Sequence, residues 1–294
     1  MIDLISLKKI RERYKRNPEP VEIQQTRDLL TNAFSKIEFV EDVHKYFIPD
    51  GKGNKIELPS VSKTIEQWVP YTDWDERAEW KAVQLGKTKE EIQRMWHENN
   101  IISTNCGSKT HFFGENMMNM FIGKEELTKK NLPFQYTDDD YIIPYNGKEI
   151  AITNYYLDIL KNDDVYPVMP EVMGCANLTD KCTVKQPYAG TMDILLAYRV
   201  NGEIVYAIHD YKTNKDLYNS YTRDNHMMML PPFDDMYEEA FSHYTIQLSM
   251  YQIMLMQLGI KVVDRVLIWL KDDGTYVKAR LKDLTKELLT ILNQ

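Results

Sequence analysis

The sequence predicts an α/β protein, and three observations in its second half carry that reading. Two apolar runs, 187–200 and 203–213, are joined by Asn201-Gly202, the strongest short-range signal of a β-hairpin. A long segment apolar at helical spacing follows at 237–259. The strand-like "RVLIWLK" then comes at 265–271. With a further strand-like segment near 165–178, the order becomes β-β-β-α-β, a core with everything earlier packed around it.

The preceding elements follow from local pattern. Residues 1–102 read as a helical and β-hairpin extension, and 103–294 as the core. Within the extension, 22–37 fits a helix, and "HKYFIPDGKGNKIELPSVS" (44–62) fits two short strands around a Gly-rich turn. The charged stretch 72–100 is helical in pattern and carries Trp74, Trp80 and Trp96. "CGSKTHFFGENMMNMFI" (106–122) predicts a helix that opens at Gly107 or Ser108. Residues 123–147 read as irregular and 148–162 as helix. After the hairpin, 214–236 reads as an insertion or lid, and 237–259 as a strongly amphipathic helix. Asp273-Gly274 marks a turn before a short strand and a final helix.

Composition narrows the class. A chain of 294 residues allows one large domain or two small ones, and 43% hydrophobic with 27% charged residues is ordinary for a soluble globular protein. No apolar run is long enough to span a membrane, and the N-terminus lacks the pattern of a secretion signal. Cys106, Cys175 and Cys182 do not make a disulfide framework, so a cytoplasmic setting is expected. The net charge of −8 argues against a general nucleic-acid coating protein. It leaves room for a nuclease, which needs only a local basic stripe. Lys8, Lys9, Arg11, Arg13, Lys15 and Arg16 form one such stripe, whose plain reading is a solvated helix face.

The hairpin concentrates the chemistry. With Asn201 and Gly202 as the turn, Val200 pairs with Glu203, and Asp193 stands directly opposite Asp210. Lys212 and Thr191 share that face, because a strand points every second residue the same way. The flanking residues are apolar on both faces, so the strands are central and buried. Two opposed, buried carboxylates repel each other. A divalent cation resolves the conflict, and oxygen ligands suit Mg²⁺ or Mn²⁺. The plainer alternative is a protonated aspartate, or neutralisation by Lys212. His209 falls on the opposite face and reads as a packing residue.

Other polar groups are weaker signals. His111 alone reads more readily as a core or surface histidine than as a ligand. Glu115, one turn later, reads as a solvent-facing glutamate, or as a group that orients the imidazole. Glu171, in "MPEVMG", either faces the same pocket or lies on an edge strand. Gln247 and Tyr251 share a helix face; on spacing alone they are a capping amide and a core tyrosine.

Taken together, "GSKTH" (107–111), "GTMD" (190–193), "DYKT" (210–213) and "QLSMY" (247–251) occur in an order that resembles the PD-(D/E)XK nuclease superfamily, most of all its RecB-like, phage-type exonuclease branch. Each motif is weak alone, but four in order, two of them on one hairpin, are specific; they span roughly 103–271. The resemblance implies a restriction-endonuclease-like core, αβββαβ, with a central mixed sheet flanked by helices. It implies metal binding by His111, Asp193 and Asp210, with help from the Tyr211 carbonyl. It implies that Lys212 orients or activates water and stabilises phosphate charge, and that Gln247 and Tyr251 shape the site and touch the nucleic-acid backbone. Glu171 matches an acidic position often found ahead of the Gly-x-x-Asp strand. Many relatives carry a four-cysteine iron–sulfur cluster. This chain has no cysteine after Cys182, so no such cluster is expected.

The function expected from the resemblance is a Mg²⁺- or Mn²⁺-dependent DNA exonuclease acting in replication, recombination or processing, phage or bacterial in type. Its substrate would be DNA ends, its partner a separate helicase, recombinase or annealing protein, with no membrane. A structure- or site-specific endonuclease is the first alternative. A non-catalytic nucleic-acid-binding protein with the same fold is the second.

Overall fold

The computed structural model describes residues 4–17, 19–50, 52–123, 135–136, 142–144, 146–176 and 184–293. The chain opens with helices α1 (Leu4–Arg16) and α2 (Val21–Phe34). A small antiparallel sheet follows, of β1 (Glu38–Val40), β2 (Lys45–Pro49) and β3 (Lys55–Leu58). Helices α3 (Val61–Ile65), α4 (Trp74–Leu85) and α5 (Lys89–Phe121) lead to a two-stranded pair, β4 (Gln135–Tyr136) and β5 (Ile142–Ile143). Then come α6 (Gly147–Ile159) and three long strands, β6 (Val165–Cys175), β7 (Ala189–Val200) and β8 (Glu203–Lys212). A short α7 (Ser220–Asp224) precedes α8 (Ala240–Met256), β9 (Val262–Leu270), β10 (Tyr276–Arg280) and α9 (Thr285–Leu292).

The main sheet has the order β10-β9-β8-β7-β6. It is mixed: β8 and β9 run parallel, joined through α8, and the other neighbours run antiparallel. The expected succession of three strands, a helix and a strand is present. Asn201 (φ 52°) and Gly202 (φ 84°) both take the left-handed region that a tight type I′ hairpin turn demands. Val200 accordingly pairs with Glu203.

Each face of this sheet buries its own core. Leu195, Ala197, Ile208 and Leu267 pack against α8, α9, α2 and α3 on one side. Ile194, Leu196, Tyr211 and Ile268 pack against α5, α6 and α1 on the other. The small sheet docks at the start of β7, where the Ala189 amide donates to the Pro59 carbonyl at 3.0 Å.

Three expectations change. The helix expected to open at Gly107 or Ser108 begins at Lys89 and runs unbroken to Phe121. Thr88 caps it: its hydroxyl accepts the Glu91 amide at 3.2 Å, and the Glu91 carboxylate accepts the Thr88 amide at 2.7 Å. The boundary expected at 102/103 therefore falls inside one helix, and Leu7 and Ile10 of α1 share a core with Phe113 of α5. The helix read as amphipathic, α8, is buried over most of its surface, with Ile246, Leu248, Met250, Ile253 and Leu255 all inaccessible. It lies between the sheet, α3 and α9, so its solvent-facing residues are too few to pattern it.

The segment 214–236 buries Leu217, Met229 and Phe233, and Arg223 at its centre pairs with the buried Glu239 at 2.7 Å. On α1, Arg13 donates to the Leu160 carbonyl at 2.6 Å, while Lys15 and Arg16 lie against Glu12. Much of the stretch read as irregular, 123–147, lies outside the described residues, as does Cys182. Among the described residues no helix is long and apolar enough to cross a membrane.

Candidate metal centre and active site

Three acids from three neighbouring strands meet where regular pairing gives way. Pairing between β6 and β7 passes from Pro170–Ile194 to Val172–Met192 and skips Glu171 and Asp193, which face each other. Pairing between β7 and β8 stops at Ile194–His209, one step short of Asp193 and Asp210. The hairpin register is thus the expected one, but the ladder ends before the aspartates. In its place, Asp193 Oδ2 accepts the Tyr211 backbone N–H at 2.7 Å. Glu171 sits in the left-handed backbone region at φ 47°, a conformation that costs a non-glycine residue roughly 1–2 kcal/mol.

His111 comes to this row from α5, and a glycine lets it approach. A Cβ on Gly114 would lie 2.9 Å from Tyr211 Cζ, well inside van der Waals contact. The bare backbone at Gly114 therefore lets α5 press onto Tyr211, whose hydroxyl donates to Tyr156 at 2.9 Å. One turn earlier, the His111 ring meets the Tyr211 ring edge-on at 5.8 Å. His111 Nδ1 then lies 3.2 Å from Asp193 Oδ1. Ligand atoms of His111, Glu171 and Asp193 all fall within 4.8 Å of one another, a group able to hold a metal ion.

The charges here are strongly coupled. Burial and the adjacent Asp193 push Glu171 well above the usual carboxylate range, and Glu115 on α5 adds to the push. Burial also raises Asp193, but His111 outweighs it and holds Asp193 low. Burial disfavours charging His111, yet Asp193 holds its imidazole up at about 9. Asp210 is pushed up to about 6 by burial and by Asp193, against the pull of Lys212. Its Oδ2 is buried and makes no well-formed hydrogen bond, although the Lys212 ammonium lies against it.

Lys212 is itself held in a cage. Gln247 Oε1 accepts from its ammonium at 3.4 Å, and the Gln247 amide donates to the Tyr251 hydroxyl at 2.9 Å. The Tyr244 ring lies beneath the ammonium, 4.1 Å from centroid to nitrogen. Burial works against this charge, but Asp210 keeps the Lys212 pKa above its ordinary value. Gly190 makes room for this arrangement: a Cβ there would lie 2.7 Å from Tyr251 Cε1.

The structure therefore gathers all eight residues singled out in the sequence, and it redistributes their parts. The carboxylate beside His111 and Asp193 is Glu171, while Asp210 faces Lys212. Tyr211 enters through its amide and its buried ring. Beyond these, a groove of about 550 Å³ opens beside His111 and Lys212, lined also by Lys148, Lys215 and Tyr244. The Lys148 ammonium donates to the Thr213 carbonyl at 3.0 Å. Tyr244 had a signal in the sequence, since it lies three residues before Gln247 and seven before Tyr251 on one helix. Lys148 had none, because α6 is brought to the groove only by the fold. Neither the protein-family models nor the curated proteins compared with this chain match it.

Proposed function

We propose that the chain is a metal-dependent phosphodiester hydrolase acting on DNA, an exonuclease built on a restriction-endonuclease-like core of the PD-(D/E)XK type. The observation that carries this is the row Glu171–Asp193–Asp210 across three strands, with His111 on one side and caged Lys212 on the other. Such a row is a poor way to stabilise a fold, since buried like charges repel. The donor set fits a divalent cation: one imidazole, two carboxylates, and the under-satisfied Asp210 beside them. His111, Glu171 and Asp193 would hold the ion, with Asp210 at its edge. When bound, a divalent ion acidifies water and offsets the negative charge that develops on phosphate.

The chain's own residues supply the rest. The Lys212 ammonium is a fixed point charge that orients a phosphate oxygen or the attacking water. Beside its contact with Asp210, Gln247 and the Tyr244 ring hold it in place. The Tyr211 amide fixes one oxygen of Asp193 and leaves the other toward His111. Lys148 and Lys215 give the groove the positive lining that a phosphate chain requires.

The test is cleavage of linear single-stranded, linear duplex and circular DNA with Mg²⁺, Mn²⁺ or chelator. Wild type is compared with Lys212→Ala and Asp210→Ala. Metal-dependent loss of linear DNA only, abolished by both substitutions, is the expected result. Cutting of circles makes the enzyme an endonuclease. Absence of cleavage, or cleavage that survives both substitutions, sinks the assignment.

A further inference from the structure

Away from the site, α4, α5 and α7 present aromatic and cationic side chains that hydrolysis leaves unused. Trp74, Trp80, Trp96 and Tyr221 surround a cavity of about 460 Å³ together with Arg77 and Lys81. Trp74 is 61% exposed and Trp80 57%, so these rings are not core residues. The Arg77 guanidinium sits 5.5 Å from the Trp74 ring and 5.8 Å from the Tyr221 ring. Lys81 lies 6.0 Å from the Trp80 ring, and Trp96 meets Trp74 edge-on at 6.0 Å. The rings are thus propped by cations and by one another, with faces left to water. Glu76 is the one acid in the lining.

This cavity is aligned with the groove. Ser103, Gly107 and His111 follow Trp96 by seven, eleven and fifteen residues, which places all four on one stripe of α5. Ser103, Gly107 and His111 line the groove, and Trp96 lines the aromatic cavity. The stripe spans about 22 Å at helical rise. The segment that supplies Tyr221 also leaves the sheet through Thr213 and Asn214, which line the same groove.

We infer that the aromatic cavity is a stacking platform for single-stranded nucleic acid, from which the strand runs along α5 into the groove; the direction of that path rests on the hydrolase proposed above. Every base has a π-face, so stacking on tryptophan accepts any sequence, and Arg77 and Lys81 offset backbone charge. A surface made only for a second copy of this chain needs neither the paired cations nor the alignment with the groove.

The test measures binding and hydrolysis separately. A fluorescein-labelled oligothymidylate of roughly 15 nucleotides is titrated into the intact protein in chelator and followed by anisotropy and tryptophan quenching. Wild type should bind with quenching. Trp74→Ala/Trp80→Ala should bind roughly tenfold or more weakly, and Trp74→Phe/Trp80→Phe should regain most of the affinity. Arg77→Gln should weaken binding and steepen no other property; circular dichroism checks that every variant is folded. Hydrolysis of bis(p-nitrophenyl) phosphate with Mn²⁺ should be unchanged throughout. Equal affinity of the double alanine variant overturns the platform, as does a wild type that does not bind. Self-association of wild type that the double variant abolishes overturns it too, and assigns the face to a second copy. Binding lost with hydrolysis intact removes the platform alone, whereas hydrolysis absent with binding intact removes the hydrolase alone.

Discussion

His209 and Asp210 are consecutive residues of β8, both buried, and burial has opposite outcomes for them. His209 faces α6, where the Tyr155 hydroxyl lies 2.7 Å from Nδ1 and the Tyr198 hydroxyl 3.3 Å from Nε2. Both ring nitrogens have partners, and burial drives its pKa down to about 3, so the ring stays neutral. Asp210 faces other carboxylates, lacks a well-formed hydrogen bond on Oδ2 and is pushed toward protonation. One side of the strand satisfies its polar group and gains rigidity. The other sets carboxylates side by side and leaves Asp210 Oδ2 short of a well-formed hydrogen bond. The contrast teaches that polarity in a core is not itself the mark of a site; carboxylates turned toward one another are.

The largest effects should come from the unsatisfied side. Asp193→Asn and Asp210→Asn should each lower nuclease activity by on the order of a thousandfold. In chelator, Asp210→Asn should not lower the melting temperature, because it removes a carboxylate that burial and Asp193 already push toward protonation, whereas Asp193→Asn should lower it by breaking the pair with His111; a marked loss of stability in Asp210→Asn would erase the distinction between the two sides of β8. Next comes Gly114→Val, which drives a side chain into Tyr211 and forces α5 away. It should cost roughly 1–3 kcal/mol in urea unfolding and also weaken Mn²⁺ binding in calorimetry, because His111 moves with the helix. His209→Phe should cost roughly 1–3 kcal/mol by stranding the Tyr155 and Tyr198 hydroxyls, with activity per folded molecule retained. A comparable effect is in pH. His209 ionises near 6.5 when unfolded and near 3 when folded. Its contribution to stability is therefore complete above about 6.5 and declines as pH falls toward 3, by at most about 1.4 kcal/mol per pH unit. Urea midpoints from pH 7 to pH 4 should fall less steeply in His209→Phe than in wild type.

Much of this centre was legible in the sequence because one turn fixed it. Asn201-Gly202 admits few turn geometries, so the register of Asp193 and Asp210 followed from counting. Helical spacing put Gln247 and Tyr251 on one face, but their place in the site was legible only through the resemblance. The place of Glu171 was not, because it depends on a register shift between Pro167 and Met169 and on its own left-handed backbone. Neither has a local signature, and a one-residue slip would send it to the other face. The start of α5 has a local signature, since "TKEE" at 88–91 is a capping-box sequence. The glycine at 107 drew attention instead, although an isolated glycine inside a helix costs only about 1 kcal/mol. The cage around Lys212 needed the fold, since only the parallel β8–β9 crossover lays α8 beneath it.

Helix α5 has one further consequence. A helix of 33 residues is a rod of about 50 Å with almost no give along its length. Because Trp96 and His111 ride on the same rod, the separation between the proposed aromatic grip and the candidate metal centre is a fixed length, like two marks on a ruler. On the proposed platform and hydrolase, a strand held at one mark would meet the other only after about six stacked nucleotides, at roughly 3.4 Å each. The shortest fragment that engages both marks is therefore set by the covalent geometry of one helix and not by any contact with the bases.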